Sequence, residues 1–292
     1  MSKNKQRPVV VIVESVYKKC KDIFDSLPDL EIVPAPFGEE ALSGVIKDKK
    51  AFAVVLGVEK YTGLLYEALK KNGVIARFGV GCDGIDFNKA KQKNLFVTNT
   101  PDVLESTVAE FTVFLAAEVL RKCGMADDKM KMNVWESTIG KELNGKTWAI
   151  IGLGRIGKRL GKILSFGFAV NVLAFKRNFA ESATLMESYG IRKISRDFAE
   201  IVSSADLVSL HLPSNDDTYH FLDKQRLGQL KSGAVLINTG RGSLVDENAL
   251  YEELRHGRLY GAGLDVFENE PYDPPNRDKD LRTLSNIVLT PH

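Results

Sequence analysis

The amino-acid sequence predicts an α/β fold with two doubly wound parallel sheets, one in each of two domains. Three observations support this prediction. Short β-branched runs alternate with helix-period segments along the chain, a pattern typical of parallel sheets that helices cover on both faces. The dipeptide Thr100-Pro101 interrupts the alternation once, and a second series begins at Lys146. A glycine-rich turn, Gly152–Gly157, follows the first strand of that second series.

The first series predicts a smaller domain over residues 1–99. Its β-branched runs predict strands at Val9–Val13, Glu31–Val33, Phe52–Leu56, Val74–Phe78 and Leu95–Thr98. Its helix-period segments predict helices that include Val16–Ser26, Glu39–Lys47 and Leu64–Lys71. Strands that alternate with helices in this way form a parallel sheet.

The second domain is expected over residues 100–292. Val103–Arg121 indicates one long apolar helix, which is expected to link the two domains. Strands are predicted at Thr147–Ile151, Val170–Phe175, Ile191–Lys193, Leu207–Leu210, Ala234–Asn238, Tyr260–Asp265 and Ile287–Leu289. Six or more parallel strands with helices between most of them are typical of a doubly wound dinucleotide-binding domain.

The composition excludes several classes of partner. Of 292 residues, 44% are apolar and 27% charged, and the formal net charge is +2. Because both signs of charge are interspersed, we expect neither a nucleic-acid nor a membrane partner. We also expect no metal site. Cys20, Cys82 and Cys123 form an odd, scattered set that fits a reducing compartment. No apolar stretch of signal-peptide length follows the polar segment Met1–Arg7, so a cytoplasmic protein is expected.

The glycine turn predicts a diphosphate-binding site. It follows the apolar strand Trp148–Ile151 and opens a helix from Arg155 to about Phe166, the context that gives this motif its meaning. The first glycine permits a tight turn, Gly154 lets the main chain approach a pyrophosphate, and the third lets helix and strand pack closely. The alternative is a flexible glycine turn with no ligand.

The end of the next predicted strand bears on the choice of cofactor. An acidic side chain there accepts hydrogen bonds from ribose hydroxyls, whereas a cation favours a 2′-phosphate. After Phe175 the chain has Lys176 and Arg177, with no carboxylate before Glu181. We therefore expect NADP(H) in preference to NAD(H). A solvated basic turn that tolerates either cofactor is the alternative.

Four polar side chains follow predicted strands, where a doubly wound sheet presents its active crevice. The fork of Arg241 can hold a carboxylate bidentately and polarise a keto oxygen, or it is a surface arginine in a tight turn. A carboxylate, Glu270 or on chemistry alone equally Glu268, can favour the imidazolium form of His292 as a proton donor. His211 is expected to line the cofactor site. His220 and His256 are expected on the surface.

Together these sequence motifs resemble those of the D-isomer-specific 2-hydroxyacid dehydrogenase family, and the resemblance covers nearly the whole chain. Further segments similar to the family are Arg77–Asp86, Val108–Glu110, Ala205–Pro213, Gly242–Leu250 and Gly261–Pro271. The resemblance implies a Rossmann cofactor domain and a smaller flavodoxin-like α/β substrate domain. It also implies a reaction, hydride transfer between a nicotinamide and a small 2-keto or 2-hydroxy acid. The substrate class implied is glyoxylate and hydroxypyruvate, or 3-phosphoglycerate.

The resemblance also assigns roles to residues at matching positions. Arg241, Glu270 and His292 become catalytic, and Glu270 is preferred to Glu268 because it directly precedes Pro271. The main chain at Gly79, Val80 and Gly81, with Arg241, is expected to hold the substrate carboxylate. The expected cofactor contacts are Val80, Gly152, Gly154, Arg155, Ile156, Gly157, Lys176, Arg177, His211, Leu212, Pro213, Thr239, Gly240 and Asp265.

Family members usually continue past the catalytic histidine with a loop and a final helix, whereas this chain ends at His292. We therefore expect a truncated form that binds cofactor and turns over poorly. A nicotinamide-sensing corepressor of the C-terminal-binding-protein type, which has the same fold, is the alternative function. The resemblance and the apolar helix Val103–Arg121 further suggest a homodimer built on the cofactor domain.

Overall fold

The computed structural model describes residues 7–178 and 183–292, in two compact units, Met1–Leu104 and Glu105–His292. The first unit extends past the expected end at residue 99 because Thr100 is bound to its own unit. The amide of Gly79 donates to Thr100 Oγ1 at 3.1 Å, and the amide of Thr100 donates to the Gly79 carbonyl at 3.1 Å. Glu181, named in the cofactor argument, lies outside the described residues.

Strands and helices alternate through the first unit. The strands are β1 (Val9–Val13), β2 (Glu31–Ala35), β3 (Ala53–Leu56), β4 (Val74–Arg77) and β5 (Phe96–Thr98). The helices are α1 (Glu14–Lys19), α2 (Lys21–Asp25), α3 (Glu39–Lys49), α4 (Leu64–Ala68) and α5 (Phe87–Gln92). All pairings are parallel, in the order β2-β1-β3-β4-β5, which is the flavodoxin-like arrangement that the sequence resemblance implied.

One predicted helix of this unit is wrong in extent. Val16–Ser26 was expected to be continuous, but α1 and α2 are separate helices that meet at Cys20. The backbone of Cys20 is not helical, with φ −135° and ψ 34°. Its amide closes the first helix on the Tyr17 carbonyl, and its own carbonyl accepts from Ile23 and Phe24 to start the second. The first helix also begins at Glu14, two residues before the predicted start, whereas the second lies within the predicted range.

The second unit holds the larger sheet. Its helices are α6 (Glu105–Arg121), α7 (Cys123–Lys131), α8 (Arg155–Phe168), α9 (Ala183–Tyr189), α10 (Phe198–Val202), α11 (Lys224–Gln229) and α12 (Glu247–Arg255). Its strands are β6 (Thr147–Ile151), β7 (Asn171–Phe175), β8 (Ile191–Ser195), β9 (Leu207–Leu210), β10 (Val235–Asn238), β11 (Gly261–Leu264) and β12 (Ile287–Leu289). The order β12-β11-β10-β9-β6-β7-β8 is parallel throughout.

This order confirms the predicted doubly wound sheet, because it reverses at β6 in the manner of dinucleotide-binding domains. Two apolar cores cover its two faces. Successive residues of β6 enter opposite cores, with Trp148 and Ile150 on one face and Ala149 and Ile151 on the other. The carboxyl ends of β6, β9, β10, β11 and β12 therefore meet at one edge, where the predicted site residues lie.

The long helix α6 begins at Glu105 and belongs to the second unit, where it packs on the sheet. Its close approach to β11 depends on two glycines. A Cβ atom at Gly263 would lie 2.7 Å from Leu115 Cγ, and one at Gly261 would lie 2.8 Å from Val119 Cγ1. Among the described helices, none is long and apolar enough to cross a membrane.

Candidate active site

The glycine turn has the geometry that a diphosphate cradle requires. Gly152 has φ +104°, and a Cβ there would lie 2.5 Å from the His211 carbonyl oxygen. A Cβ at Gly157 would lie 2.4 Å from the Gly152 carbonyl oxygen, so α8 packs directly against the turn. Gly154 is exposed and a Cβ there would meet no atom within 4 Å. The turn is closed toward the protein and open on the side of Gly154.

The start of α8 fits an anionic ligand. Gly154 is the N-cap and supplies no side chain, so the first amides of the helix lack a side-chain partner. Those amides include the ones of Ile156 and Gly157, and the helix dipole adds a partial positive charge at the same place. The chain's own residues thus fit the diphosphate of a dinucleotide.

The end of β7 carries the basic pair. Lys176 is half-buried and its amide donates to the Ser195 carbonyl of β8, whereas Arg177 is exposed. An Nη1 of Arg177 lies 3.5 Å from Asp217 Oδ2, and both side chains remain largely in solvent. The two cations therefore flank the carboxyl end of β7, next to the strand that feeds the glycine turn.

His211, at the end of β9, is a neutral side chain. Burial lowers the pKa of its imidazole to about 4. Its Nε2 lies 3.0 Å from Ser209 Oγ, which also accepts a hydrogen bond from the indole of Trp148 at 2.9 Å. A group that stays unprotonated at neutral pH is a poor proton donor, which favours the lining role expected for His211. Leu212, which follows it, is half-buried, and Pro213 is exposed.

The loop after β10, residues 239–243, is held by internal hydrogen bonds. The side chain of Asn238 accepts from the Gly240 amide at 3.0 Å and donates to the Arg241 carbonyl at 2.9 Å. The hydroxyl of Thr239 lies 2.8 Å from Thr112 Oγ1 on α6. Arg241 Nη1 donates to the Gly240 carbonyl at 2.7 Å. These bonds fix the backbone from which the guanidinium projects.

Glu270 and His292 are in direct contact. Nδ1 of His292 lies 2.9 Å from Oε2 of Glu270, and Oε1 of Glu270 accepts from the Phe267 amide at 3.0 Å. The His292 amide donates to the Asp265 carbonyl at 3.1 Å. The segments that follow β11 and β12 thus meet at His292, and Nε2 of its ring makes no hydrogen bond to any described residue.

Asp265 lies beside the same pair. Burial raises the pKa of its carboxyl and the charge of Glu270 adds to the effect, whereas a hydrogen bond from Thr290 and the charge of His292 oppose it. That bond runs from Thr290 Oγ1 to Asp265 Oδ1 at 2.6 Å. The four groups form one continuous polar cluster at the carboxyl edge of the sheet.

Glu268, the other candidate acid, has different partners. Its Oε1 lies 2.8 Å from Nε2 of His220 and accepts from the hydroxyl of Tyr219 at 2.8 Å. The rings of Tyr219 and His220 stack with centroids 4.0 Å apart. The contact with Glu268 leaves the His220 side chain 28% exposed, so His220 is half-buried where a surface residue was expected. The side chain of His256 is exposed, as expected.

The predicted substrate loop lies in the first unit, at the carboxyl end of β4. The Val80 carbonyl accepts from the Asn99 side chain at 2.8 Å, and a Cβ at Gly84 would lie 2.1 Å from the Glu59 carbonyl oxygen. Within the described residues the amides of Val80 and Gly81 donate no hydrogen bond to the protein. Two unpaired amides in a loop held at both ends can receive a carboxylate.

Two residues that shape this site were missed by sequence reasoning. Asn238 was counted only as the end of a strand, yet its amide holds the Arg241 loop. Glu247 was part of a family-like segment with no role, yet it is 3% exposed and bonds the Glu268 amide. A side-chain amide at a strand end, two residues before a glycine, was a usable signal for Asn238. Among the described residues no cluster of three His, Cys, Asp or Glu side chains could hold a metal ion.

Comparison with known proteins gives concordant results. Residues 113–292 match the model of the D-isomer specific 2-hydroxyacid dehydrogenase, NAD binding domain. Over 277 residues the chain is 34% identical to the hydroxypyruvate reductase of Thermotoga maritima, covering 94% of this chain and 87% of that protein. Over 285 residues it is 34% identical to the D-3-phosphoglycerate dehydrogenase of Methanocaldococcus jannaschii, covering 97% of this chain and 52% of that protein.

Solved structures give the same result. The NADPH-dependent glyoxylate/hydroxypyruvate reductase of Sinorhizobium meliloti, in complex with NADP and malonate, superposes with a TM-score of 0.83. The two chains are 29% identical, and the match covers 98% of this chain and 86% of that one. The similarity therefore extends over both units and not only over the glycine turn.

Proposed function

The chain belongs to the D-isomer specific 2-hydroxyacid dehydrogenase family, and we propose that it reduces glyoxylate or hydroxypyruvate with NADPH. As a family member it is an NAD(P)-dependent oxidoreductase that acts on small 2-keto and 2-hydroxy acids. The observation that carries the proposal is the contact between His292 and Glu270, because it pairs a proton donor with a carboxylate at the edge where this fold binds its ligands.

The cofactor is held by the second unit. The amides at the start of α8 bind the diphosphate, and Gly154 leaves room for it. Thr239, Leu212, Pro213 and His211 would line the cofactor along the sheet edge, and Asp265 would hold the carboxamide of the nicotinamide. The bound nicotinamide supplies the hydride that forms the new C–H bond.

His292 supplies the proton. Its Nδ1 faces the Glu270 carboxylate, so Nε2 is the nitrogen left to donate to the substrate oxygen. The carboxylate stabilises the imidazolium before transfer and fixes the orientation of the ring. Reduction then converts the keto group to a hydroxyl, with hydride added at carbon and the His292 proton added at oxygen.

The substrate carboxylate is held by charge and by main-chain amides. Arg241 binds it and polarises the neighbouring keto oxygen, which stabilises negative charge as it develops. In the first unit, the unpaired amides of Val80 and Gly81 are hydrogen-bond donors available to a carboxylate. Positioning by these groups lowers the barrier because the reacting atoms are already aligned.

Lys176 and Arg177 support the choice of NADPH. A 2′-phosphate carries close to two negative charges, and the two cations lie where this fold presents the adenosine ribose. The relative from Sinorhizobium meliloti, which binds NADP, supports the same assignment. For the substrate, the reductases among the relatives favour glyoxylate or hydroxypyruvate. The 3-phosphoglycerate class is the second candidate, supported by the relative from Methanocaldococcus jannaschii.

Turnover on a panel of 2-keto acids tests the proposal. The purified chain would be assayed with glyoxylate, hydroxypyruvate and 3-phosphohydroxypyruvate, each with NADPH and with NADH. We expect the highest kcat/KM for glyoxylate or hydroxypyruvate with NADPH. A preference for the phosphorylated acid would assign the chain to the second candidate. Cofactor binding without turnover of any acid would support the corepressor-like alternative, which the comparisons do not favour.

We propose that two copies associate through the cofactor-binding unit. Three apolar side chains between α7 and β6 are strongly exposed, Met132 at 73%, Trp135 at 89% and Ile139 at 92%. Phe114 on α6 is 68% exposed. Exposed apolar groups of this size are typical of interfaces. Light scattering would give the mass of a dimer for the wild type and of a monomer for Trp135→Arg; a monomeric wild type would refute the proposal.

We also propose a cytoplasmic location, with no nucleic-acid or membrane partner. The support is the near-neutral net charge of +2 and the thiols of Cys20 and Cys123, which suit a reducing compartment. Cell fractionation with antibody detection tests it. Recovery of the protein in the membrane fraction would contradict it.

A further inference from the structure

A second carboxylate, that of Glu247, holds the loop that carries Glu270. Glu247 is the first residue of α12 and is 3% exposed. Its Oε1 accepts a 2.7 Å hydrogen bond from the amide of Glu268. Its Oε2 is buried and has no hydrogen-bond partner among the described residues. A buried carboxyl with one unsatisfied oxygen lowers the stability of the fold. Its presence is therefore better explained by a role in the active site than by a role in core packing.

The backbone around Glu247 is firmly anchored. The Asp246 side chain caps α12 by accepting from the Ala249 amide at 3.1 Å, and the Asp246 amide donates to the Leu222 carbonyl at 3.1 Å. Glu247 therefore presents its carboxyl from a fixed helix start. Its ionisable neighbours are Glu268, Asp246, His220 and Tyr272.

Two successive amides of the loop are each bound by a carboxylate. The Phe267 amide donates to Oε1 of Glu270, and the next amide, that of Glu268, donates to Oε1 of Glu247. The other oxygen of Glu270 contacts His292. The two hydrogen bonds therefore hold adjacent peptides of one loop, and loss of the bond to Glu247 would loosen the segment on which Glu270 is oriented.

The same peptide also touches the arginine loop. A Cβ at Gly242 would lie 1.8 Å from the Phe267 carbonyl carbon and 2.5 Å from the Glu268 nitrogen, so the two backbones are in direct contact. Gly242 directly follows Arg241, and Glu247 lies five positions further along the chain. The Phe267–Glu268 peptide is thus in contact with the segments that carry Arg241 and Glu270.

We infer that Glu247 is a positioning residue, whose hydrogen bond to the Glu268 amide sets the orientation of Glu270 and, through it, of His292 toward the substrate. This inference rests on the proposed catalytic role of the Glu270–His292 pair. Glu247 touches neither substrate nor cofactor in this scheme. It acts through one peptide of the loop, so its loss should lower kcat and leave cofactor binding unchanged.

Three variants test the inference. Glu247→Met keeps the volume of the side chain and removes both oxygens, whereas Glu247→Gln keeps an oxygen that can accept from the Glu268 amide. Glu252→Gln is the matched control, an acid on the same helix whose partner is Lys279. Glu247→Ala provides a further variant without oxygens should the methionine prevent folding. Each would be measured for kcat, for KM and for NADPH affinity.

We expect Glu247→Met to lower kcat by roughly 10–10²-fold, because a small displacement of a catalytic group is costly. NADPH affinity should stay within about twofold, because no cofactor contact changes. Glu247→Gln should recover most of the loss in kcat.

Amide exchange supplies a test that does not depend on turnover. Exchange of the Glu268 amide should become at least about tenfold faster in Glu247→Met and remain slow in Glu247→Gln and Glu252→Gln. Wild-type kcat and wild-type amide exchange in Glu247→Met would overturn the inference and leave the proposed function intact. A wild-type chain inactive on every 2-keto acid would overturn the proposed function and, with it, the catalytic part of the inference.

Discussion

Nδ1 of His292 lies 2.9 Å from Oε2 of Glu270, although 22 positions separate the two residues in the chain. The contact forms because β11 and β12 are parallel neighbours, so the segments after them leave the sheet at the same edge. It also determines which ring nitrogen is available. With Nδ1 directed at the carboxylate, Nε2 is left for the substrate, and the predictions on catalysis follow from this orientation.

Replacing His292 with Ala should slow keto-acid reduction by ~10²–10⁴-fold, because the proton donor is lost while the hydride donor is retained. Steady-state kinetics with glyoxylate and NADPH would measure the loss, and the affinity for NADPH should not change. His256→Ala is the control, since the polar contacts of that exposed imidazole with the described part of the chain are all to Glu252 of its own helix. Near-normal turnover of His292→Ala would exclude the imidazole as the acid.

The same substitution, made at Glu270 and at Glu268 in turn, can show which of the two carboxylates supports catalysis. Glu270→Gln should lower kcat by roughly 10–10²-fold, because the imidazolium loses the carboxylate that stabilises it. Glu268→Gln removes a charge that faces His220 and Tyr219, so its effect should be much smaller. Parallel kcat measurements decide between them. An equal or larger loss for Glu268→Gln would reverse the assignment.

The glycines of the turn should differ in what an added methyl group disturbs. At Gly154 a Cβ meets no protein atom, so Gly154→Ala should keep the thermal midpoint and weaken NADPH binding by at least about tenfold, through contact with the diphosphate. At Gly157 a Cβ would lie 2.4 Å from the Gly152 carbonyl oxygen. Gly157→Ala should therefore lower stability by about 1–3 kcal/mol. Calorimetry and cofactor titration measure both, and unchanged NADPH affinity in Gly154→Ala would contradict the cradle.

The basic pair after β7 should control discrimination between cofactors. Changing Lys176 and Arg177 together to Ser should weaken NADPH binding by roughly 10–10²-fold, which corresponds to the loss of one hydrogen bond to a charged group, about 1.5–3 kcal/mol. NADH affinity should change little. Lys193→Ser on β8 is the matched control, since that lysine is paired with Glu200. If the wild-type chain bound NADPH no more tightly than NADH, the proposed preference for NADPH would be refuted.

The order and extent of the strands were predictable because each one is a short β-branched run bounded by turn residues. Thr147–Ile151, Leu207–Leu210 and Ile287–Leu289 lie within the bounds that the sequence predicted. Helix continuity was less predictable, since the break at Cys20 depends on backbone angles that no residue type there requires.

The candidate site was predictable to the level of single residues but not of their contacts. The positions of Arg241, Glu270 and His292 follow from motifs, whereas the separation of Glu270 from Glu268 depends on which carboxylate reaches across the sheet edge. An acid at the start of a helix, such as Glu247, normally indicates an exposed group that interacts with the helix dipole. Its burial results from the packing of a loop from another strand, which local sequence does not specify.

Glu247 should make the stability of the second unit depend on pH. Burial raises the pKa of its carboxyl from 4.5 to about 7 in the folded chain. Between those values the folded state binds more protons than the unfolded state, so the free energy of unfolding falls as pH rises. Above pH 7 the folded chain carries the full energetic cost of a buried, ionised carboxylate. A pKa shift of this size corresponds to about 3 kcal/mol.

Glu247→Gln removes the ionisation, so its stability relative to the wild type should increase from pH 4.5 to pH 8. Urea unfolding followed by tryptophan fluorescence measures this, because both tryptophans, Trp135 and Trp148, belong to the second unit. In the control Glu252→Gln no such gain is expected, because a hydrogen bond to Lys279 lowers the pKa of Glu252. A Glu247→Gln variant whose stability follows the wild type at every pH would mean that Glu247 is already ionised across this range.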